Sequence, residues 1–317
     1  PWRRAATRGR PYTNSHHAEC TNLLMSGLGA ALVAALIYRP HSLPGETPAP
    51  VFPPRRIVSL NLVADEILLA LVPPERIAAL TFLADDPRYS NVVAQARSIP
   101  HKVQANAEQV IALQPDLIIM AVYVSASAKT LLRETGVPFL ELQHYTSLAG
   151  VQQNILAVGQ TIGESDRAQA LVREMSQRLQ KLQQQMAGAP RPRALYYAPG
   201  GFVAGSETSM DDIITHAGGH NVAAEAGIRY SKKISHETLI ALNPAAILVS
   251  GEQGREGLRE LLLADPTLQD VAAIRTRQVH VLPLAYVSTL SHHIMKCVEA
   301  IARVLHPEVF PAVEDHG

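Results

Sequence analysis

Cysteine, aromatic side chains and net charge are all scarce in this chain. Its 317 residues hold two cysteines, Cys20 and Cys297. They stand in unlike segments, which argues against a disulfide framework, and no Cys spacing of a zinc site is present. Lys and Arg total 28, and so do Asp and Glu, so the net charge is zero. No basic run follows residue 60 beyond Lys232–Lys233. Phosphate contacts need a basic surplus, so nucleic acid is not expected as a partner. Catalytic fingerprints are missing as well. The stretch APGGFVAGS (198–206) has glycines but no Gly-x-Gly-x-x-Gly, and the phosphate-loop Lys is lacking. There is no Gly-x-Ser-x-Gly. Asp85–Asp86 and Asp211–Asp212 are adjacent pairs, which suit turns and helix starts better than a catalytic dyad. No enzymatic activity is expected.

What the chain does have is apolar material. Hydrophobic residues make up 47% and charged residues 18%, enough for a sizeable core in one large domain or two. The first fifty residues differ from the rest. Four arginines (Arg3, Arg4, Arg8, Arg10) precede the apolar run LLMSGLGAALVAALIY (23–38), and RPHSLPGETPAPVFPP (39–54) follows. Basic, apolar, then polar is the order of a secretory leader, and the run is short for a membrane span, which takes about 20 residues. Cys20 precedes the apolar run, so it is not placed as a lipidated cysteine. Met25 is an alternative start. Residues 1–54 are therefore expected to be a leader and Pro-rich linker, and the remainder an exported protein.

From residue 55 the pattern is α/β. RIVSL (56–60), RIAALT (76–81), DLIIMAVY (116–123) and VPFLEL (137–142) read as strands. ADEILLALV (64–72), 107–113 and KTLLRETG (129–136) read as helices between them, and 82–106 reads as loop. Strands alternating with short helices predict a parallel sheet. Residues 147–187 break this pattern with two helical stretches, the second with apolar residues from Ala168 to Met186 at three- and four-residue spacing. After Pro190 the first pattern resumes: strands at 193–198, 245–250 and 279–283, a Gly-rich turn at 200–206, and helices at 210–218, 235–242 and 291–306. Cys297 lies in the last of these and reads as a small core residue. The expected organisation is an amino-terminal lobe (55–146), a helical bridge (147–189) and a carboxy-terminal lobe (190–310).

One phrase occurs twice. AEQVIALQPDLIIM (107–120) returns as HETLIALNPAAILV (236–249), offset by 237 − 108 = 129 at the Glu and 244 − 115 = 129 at the Pro. Asn106 and Ser235 are suited to cap a helix in each copy. The residue before a Pro is pushed out of the α region, so each helix stops there. The unbroken apolar run that follows is a strand buried on both faces. A Glu in the first helical turn is favoured by the helix dipole by about 0.3–1 kcal/mol, which accounts for Glu108 and Glu237 being tolerated.

RIVSLNLVADEILLAL (56–71), ERIAALT (75–81), AEQVIALQPDLII (107–119), DRAQALV (166–172), the glycines after RALYY, and SHETLIALNPAAILVS (235–250) appear in that order. In this the chain resembles the periplasmic substrate-binding proteins of ABC importers for vitamin B12, iron–siderophores and haem, over about residues 55–308. The resemblance implies two Rossmann-like α/β lobes joined by a long rigid helix, with the ligand in the cleft between them. It implies that one Glu on each lobe docks on arginines of the inner-membrane permease, and position in the repeated phrase makes these Glu108 and Glu237. The expected cargo is a ferric siderophore or a cobalamin-type corrinoid, with haem or a bare divalent ion as the alternative. No resident cofactor is expected, and the protein should be a monomer.

Ligands of open α/β lobes bind beyond the carboxyl ends of the strands. The residues expected there are Asn61, Leu62, Phe82, Tyr123 and Tyr145 in the first lobe, with Tyr197, Phe202, Glu252 and Tyr286 in the second. Only 5% of the chain is aromatic, yet several of its rings fall at these ends. Rings suit a large, partly apolar ligand. Arg229 and Tyr230 are expected to meet anionic groups on such a chelate. Among the 13 histidines, His216 and His220 are split by Gly218–Gly219, and no bare-metal set is expected. His144 and His292 are the histidines that remain as contacts to a chelated metal.

Overall fold

A computed structural model describes residues 53–104, 106–251 and 257–310. The expected leader, most of the Pro-rich linker, and Glu252 lie outside the described residues. No helix among those described is long and apolar enough to cross a membrane.

In the amino-terminal lobe β1 (Ile57–Ser59), α1 (Leu62–Leu71), β2 (Ile77–Thr81), α2 (Val93–Ala96), β3 (Lys102–Val103), α3 (Ala107–Ala112), β4 (Leu117–Ala121), α4 (Ala126–Glu134) and β5 (Phe139–Leu142) follow in order. The strands form one parallel sheet in the order β3-β2-β1-β4-β5. Two features depart from the sequence pattern. The stretch 82–106, expected as loop, carries α2 and the edge strand β3, because Leu80 and Thr81 supply the pairing partners that the sequence of 102–103 does not advertise. Helix α4 starts at Ala126 rather than Lys129, because the Ser125 hydroxyl accepts from the Ala128 N–H and caps it there.

The bridge is a helical hairpin of α5 (Leu148–Ile162) and α6 (Ser165–Gln185). Gly163 turns the chain between them in the left-handed region, φ 77°. Close packing follows from Gly159: a Cβ there would lie 2.3 Å from the Ala168 Cβ. The longer helix spans both lobes. At its start Arg167 donates to the Leu71 carbonyl and Glu164 pairs with Arg76, both in the amino-terminal lobe. At its end Gln183 contacts His216 of the carboxy-terminal lobe. Twenty-one residues at 1.5 Å each make α6 about 31 Å long. Its stripe of Ala168, Met175 and Leu182 is buried.

The carboxy-terminal lobe contains β6 (Arg193–Ala198), β7 (Phe202–Ala204), α7 (Ser209–His216), β8 (His220–Asn221), α8 (Val222–Glu225), β9 (Ser231–Lys233), α9 (His236–Leu242), β10 (Ala246–Gly251), α10 (Gly257–Ala264), α11 (Ala272–Arg275), β11 (Val279–Pro283), α12 (Leu284–Val287) and α13 (Ile294–Leu305). Strands β6, β10 and β11 are parallel, and β7 and β9 add an antiparallel ribbon at the β6 side. The glycine-rich stretch is a turn only at Gly200 and Gly201 (φ 79° and 83°) and then becomes β7. Gly205 follows so close to the Ile228 carbonyl that a Cβ would sit 2.1 Å from its oxygen.

The duplicated phrase folds alike in both lobes. Asn106 accepts from the Gln109 N–H at 3.1 Å and Ser235 from the Thr238 N–H at 3.3 Å. Val110 and Leu239 are fully buried at equivalent places. Each helix ends in a left-handed residue before its Pro, Gln114 at φ 47° and Asn243 at φ 41°. The strands that follow, β4 and β10, are central and almost wholly buried. Cys297 is buried in the shared core, where burial pushes its thiol up to about 12.

Candidate functional site

The carboxyl ends of the two sheets face each other, and direct hydrogen bonds tie them. Asn91, in the loop after β2, donates to the Ala285 carbonyl in α12 at 2.9 Å. Lys296 donates to Asn91 at 3.1 Å and lies 5.8 Å from the centre of the Tyr286 ring. Leu148, at the start of α5, donates its N–H to Asp212 of α7 at 2.7 Å.

Two carboxylates at the floor of this junction are invisible to sequence reasoning. Asp65 and Glu66 lie in α1 and are fully buried. Asp65 accepts from the Thr81 hydroxyl at 2.5 Å and from the Thr81 N–H at 3.2 Å. Burial pushes its carboxyl up to about 7 against these bonds. Glu66 crosses to the other lobe, accepting from Ser291 at 2.5 Å and also from Thr289. Asn91 donates to its second oxygen with both backbone and side-chain nitrogens, each at 3.1 Å. Burial raises the Glu66 carboxyl also. The only hint in the sequence is an acidic pair inside LVADEILLAL, which is apolar on every other face.

Beside Asp65 stands a tyrosine pair. The Tyr123 and Tyr145 rings are 5.4 Å apart and tilted by 57°. Burial raises the Tyr123 hydroxyl to about 12, and the nearby Asp65 carboxylate adds to this. Tyr145 is 2% exposed and its hydroxyl has no hydrogen-bond partner among the described residues. Asn61 is 5% exposed. Its side-chain oxygen caps α1 through the Ala64 N–H, while its Nδ2 is unpartnered among the described residues. A buried donor with no acceptor costs about 1–3 kcal/mol, and both of these follow strands of the amino-terminal sheet, Asn61 after β1 and Tyr145 after β5.

The remaining sequence candidates are spread unevenly. Leu62 is buried under the first turn of α1, and Phe82 is exposed at the end of β2. Tyr286 is half-buried in α12. Tyr197 packs into the core of the carboxy-terminal lobe with Val203, Leu239 and Val249. Phe202 lies at the Gly200–Gly201 turn opposite Lys233. Arg229 is not a free cation, for it is paired with Glu207 and its guanidinium lies 5.4 Å from the Tyr230 ring. Arg229 and Tyr230 face Ser206 and Gly205, past the end of the β7–β9 ribbon distant from Phe202. His144 is exposed. His292 and His293 stack at 3.9 Å, and burial drops them to about 4 and about 3, so both are neutral. Among the described residues no three His, Cys, Asp or Glu side chains converge as metal ligands. A surface groove of about 540 Å³ lined by Leu69, Val72, Pro73, Arg167, Leu171 and Glu174 sits at the far end of α1, away from the strand ends.

Two α/β lobes on a helical backbone, with facing strand ends, define a two-lobed solute-binding protein. A family profile described as "Periplasmic binding protein" matches residues 57–286, and the chain belongs to that family. It is 26% identical over 208 residues to a "Cobalamin-binding protein" of Halobacterium salinarum, covering 64% of this chain and 56% of that one. It thus spans little more than half the length of that relative. A second relative, the "Uncharacterized ABC transporter substrate-binding lipoprotein YvrC" of Bacillus subtilis, is 22% identical over 272 residues, covering 81% and 82% of the two chains. Among solved structures, the periplasmic heme-binding protein RhuT from Roseiflexus sp. RS-1 superimposes with a TM-score of 0.69 and 27% identity, over 80% of this chain and 99% of that one.

Proposed function

We propose that this protein is the exported binding component of an ABC importer, that it captures a metal chelate between its lobes, and that it hands the chelate to the permease. The observation that carries this reading is the pair of buried donors at the strand ends, Asn61 Nδ2 and the Tyr145 hydroxyl, which have no partner among the described residues. Acceptor groups on the periphery of a corrinoid or ferric siderophore would take those bonds, and the tyrosine pair would cover apolar ligand surface. Relatives named for cobalamin and for heme binding support a large chelate over a bare ion. Haem is the second reading, favoured by the RhuT likeness.

Titration of the purified protein with cyanocobalamin, a set of ferric siderophores and haem, followed by intrinsic fluorescence and thermal shift, tests the proposal. One of them should bind one-to-one and raise the unfolding temperature. No response to any of the three classes would overturn it.

Docking on the permease is assigned to Glu108 and Glu237, both exposed on short helices of the two lobes. Exposed charge pairs add little affinity but fix orientation and speed encounter. Reversing both charges should abolish uptake with chelate affinity intact.

A further inference from the structure

The described residues expose six large apolar side chains, and two of these hold the same place in the duplicated phrase. Ile111 is 45% exposed and Ile240 is 37% exposed. Their separation, 240 − 111 = 129, is that of the glutamates. Each follows its Glu by three residues on one helix, so the pair shares a helix face. The inward face of each helix is accounted for by Val110 and Leu239, which are wholly buried. Packing within the lobes therefore explains the buried residue of each copy and leaves the outward isoleucine partly open to solvent.

We propose that Ile111 and Ile240 are apolar anchors of a two-point docking surface for the permease. Each would seat beside its glutamate in a receptor that offers a basic side chain flanked by an apolar recess. The proposal rests on the docking role of Glu108 and Glu237 given above and adds the apolar half of each contact. Charge complementarity sets the sign of the partner: each isoleucine has an exposed carboxylate one turn away, and the Ser235 hydroxyl holds the Glu237 carboxyl below the usual range. The like composition of both patches calls for like receptors, as two copies of one membrane subunit provide. The charged half orients the encounter, whereas a desolvated aliphatic side chain slows dissociation.

The test measures binding of the full chain to the cognate permease in nanodiscs at low and high salt. Ile111→Ser with Ile240→Ser should weaken binding about tenfold or more. The salt dependence should stay that of the wild type, and Ile→Leu at both sites should restore affinity. Glu108→Gln with Glu237→Gln should instead flatten the salt dependence. Wild-type affinity in the serine double variant, with unchanged thermal unfolding, overturns the anchor role and leaves the glutamate docking standing. No binding by the wild-type chain overturns both. Concentration-dependent dimerisation of the wild type that the serine variant loses would assign the patches to a second copy of this chain and overturn the permease assignment.

Discussion

Glu66 of the amino-terminal lobe and Ser291 of the carboxy-terminal lobe are joined by a 2.5 Å hydrogen bond across 225 residues of sequence. The same carboxyl also takes bonds from Thr289 and Asn91. One buried side chain thus ties the two lobes where their strand ends meet. Glu66→Ala takes the acceptor from four donors: the Ser291 and Thr289 hydroxyls and both the backbone and side-chain nitrogens of Asn91. It is expected to lower stability by about 3 kcal/mol, read as a shift in the urea midpoint. A double-mutant cycle with Ser291→Ala should return a coupling of about 1–3 kcal/mol. Additive effects would show that the contact does not tie the lobes.

Asp65 sets a pH dependence. Its carboxyl is held at about 7 in the folded chain against 3.8 when unfolded, so the folded state binds the extra proton. The favourable contribution is complete below about pH 4 and is lost as pH rises through about 7. The raised Glu66 carboxyl acts in the same direction. Asp65→Asn removes the Asp65 share. Wild-type unfolding free energy should fall relative to this variant between about pH 4 and 7, by at most about 4 kcal/mol. Parallel stability profiles for the two proteins would refute it.

Tyr145→Phe separates fold from ligand. The hydroxyl it removes has no partner among the described residues. The unliganded variant should be at least as stable as the wild type, since an unsatisfied buried group costs about 1–3 kcal/mol. Affinity for the chelate should drop about tenfold, measured by fluorescence titration. Unchanged affinity would remove Tyr145 from the site. Asn61→Ala is less clean, since Asn61 also caps α1, and it should lose about 1 kcal/mol of stability as well.

The two helices of the bridge pack closely at Gly159. Gly159→Ala puts a Cβ 2.3 Å from that of Ala168, closer than two methyl groups can approach, so α5 and α6 must part. A loss of about 1–3 kcal/mol is expected from overpacking. Adding Ala168→Gly should recover much of it, as thermal unfolding of the double variant would show.

Much of the architecture is legible in the sequence because it is written in local chemistry. The 129-residue offset marks one helix–turn–strand unit in each lobe, and the caps at Asn106 and Ser235 and the Pro breaks follow from neighbours along the chain. The strands β1, β2, β4, β6 and β10 are apolar runs that only a buried sheet accommodates. Two of the elements the sequence hides are β3 and β9. Both are short edge strands whose pairing is supplied by a neighbour rather than by their own residues.

The candidate site was legible only as a set of strand ends. Asn61, Tyr123 and Tyr145 were reachable by topology alone, since ligands sit at the carboxyl ends of such sheets. Which rings share a face was not. Tyr197 turns into the core and Arg229 is taken by Glu207, because side-chain direction and ion pairing depend on what packs from the rest of the lobe. The sequence by itself determined two like lobes, a helical bridge, and a Glu in the first helical turn of each copy of one phrase. Only the tertiary structure decided that Asp65 and Glu66 are buried and that Glu66 reaches Ser291. Desolvation and partners 225 residues apart are properties of the folded interior, and no local pattern along the chain encodes them.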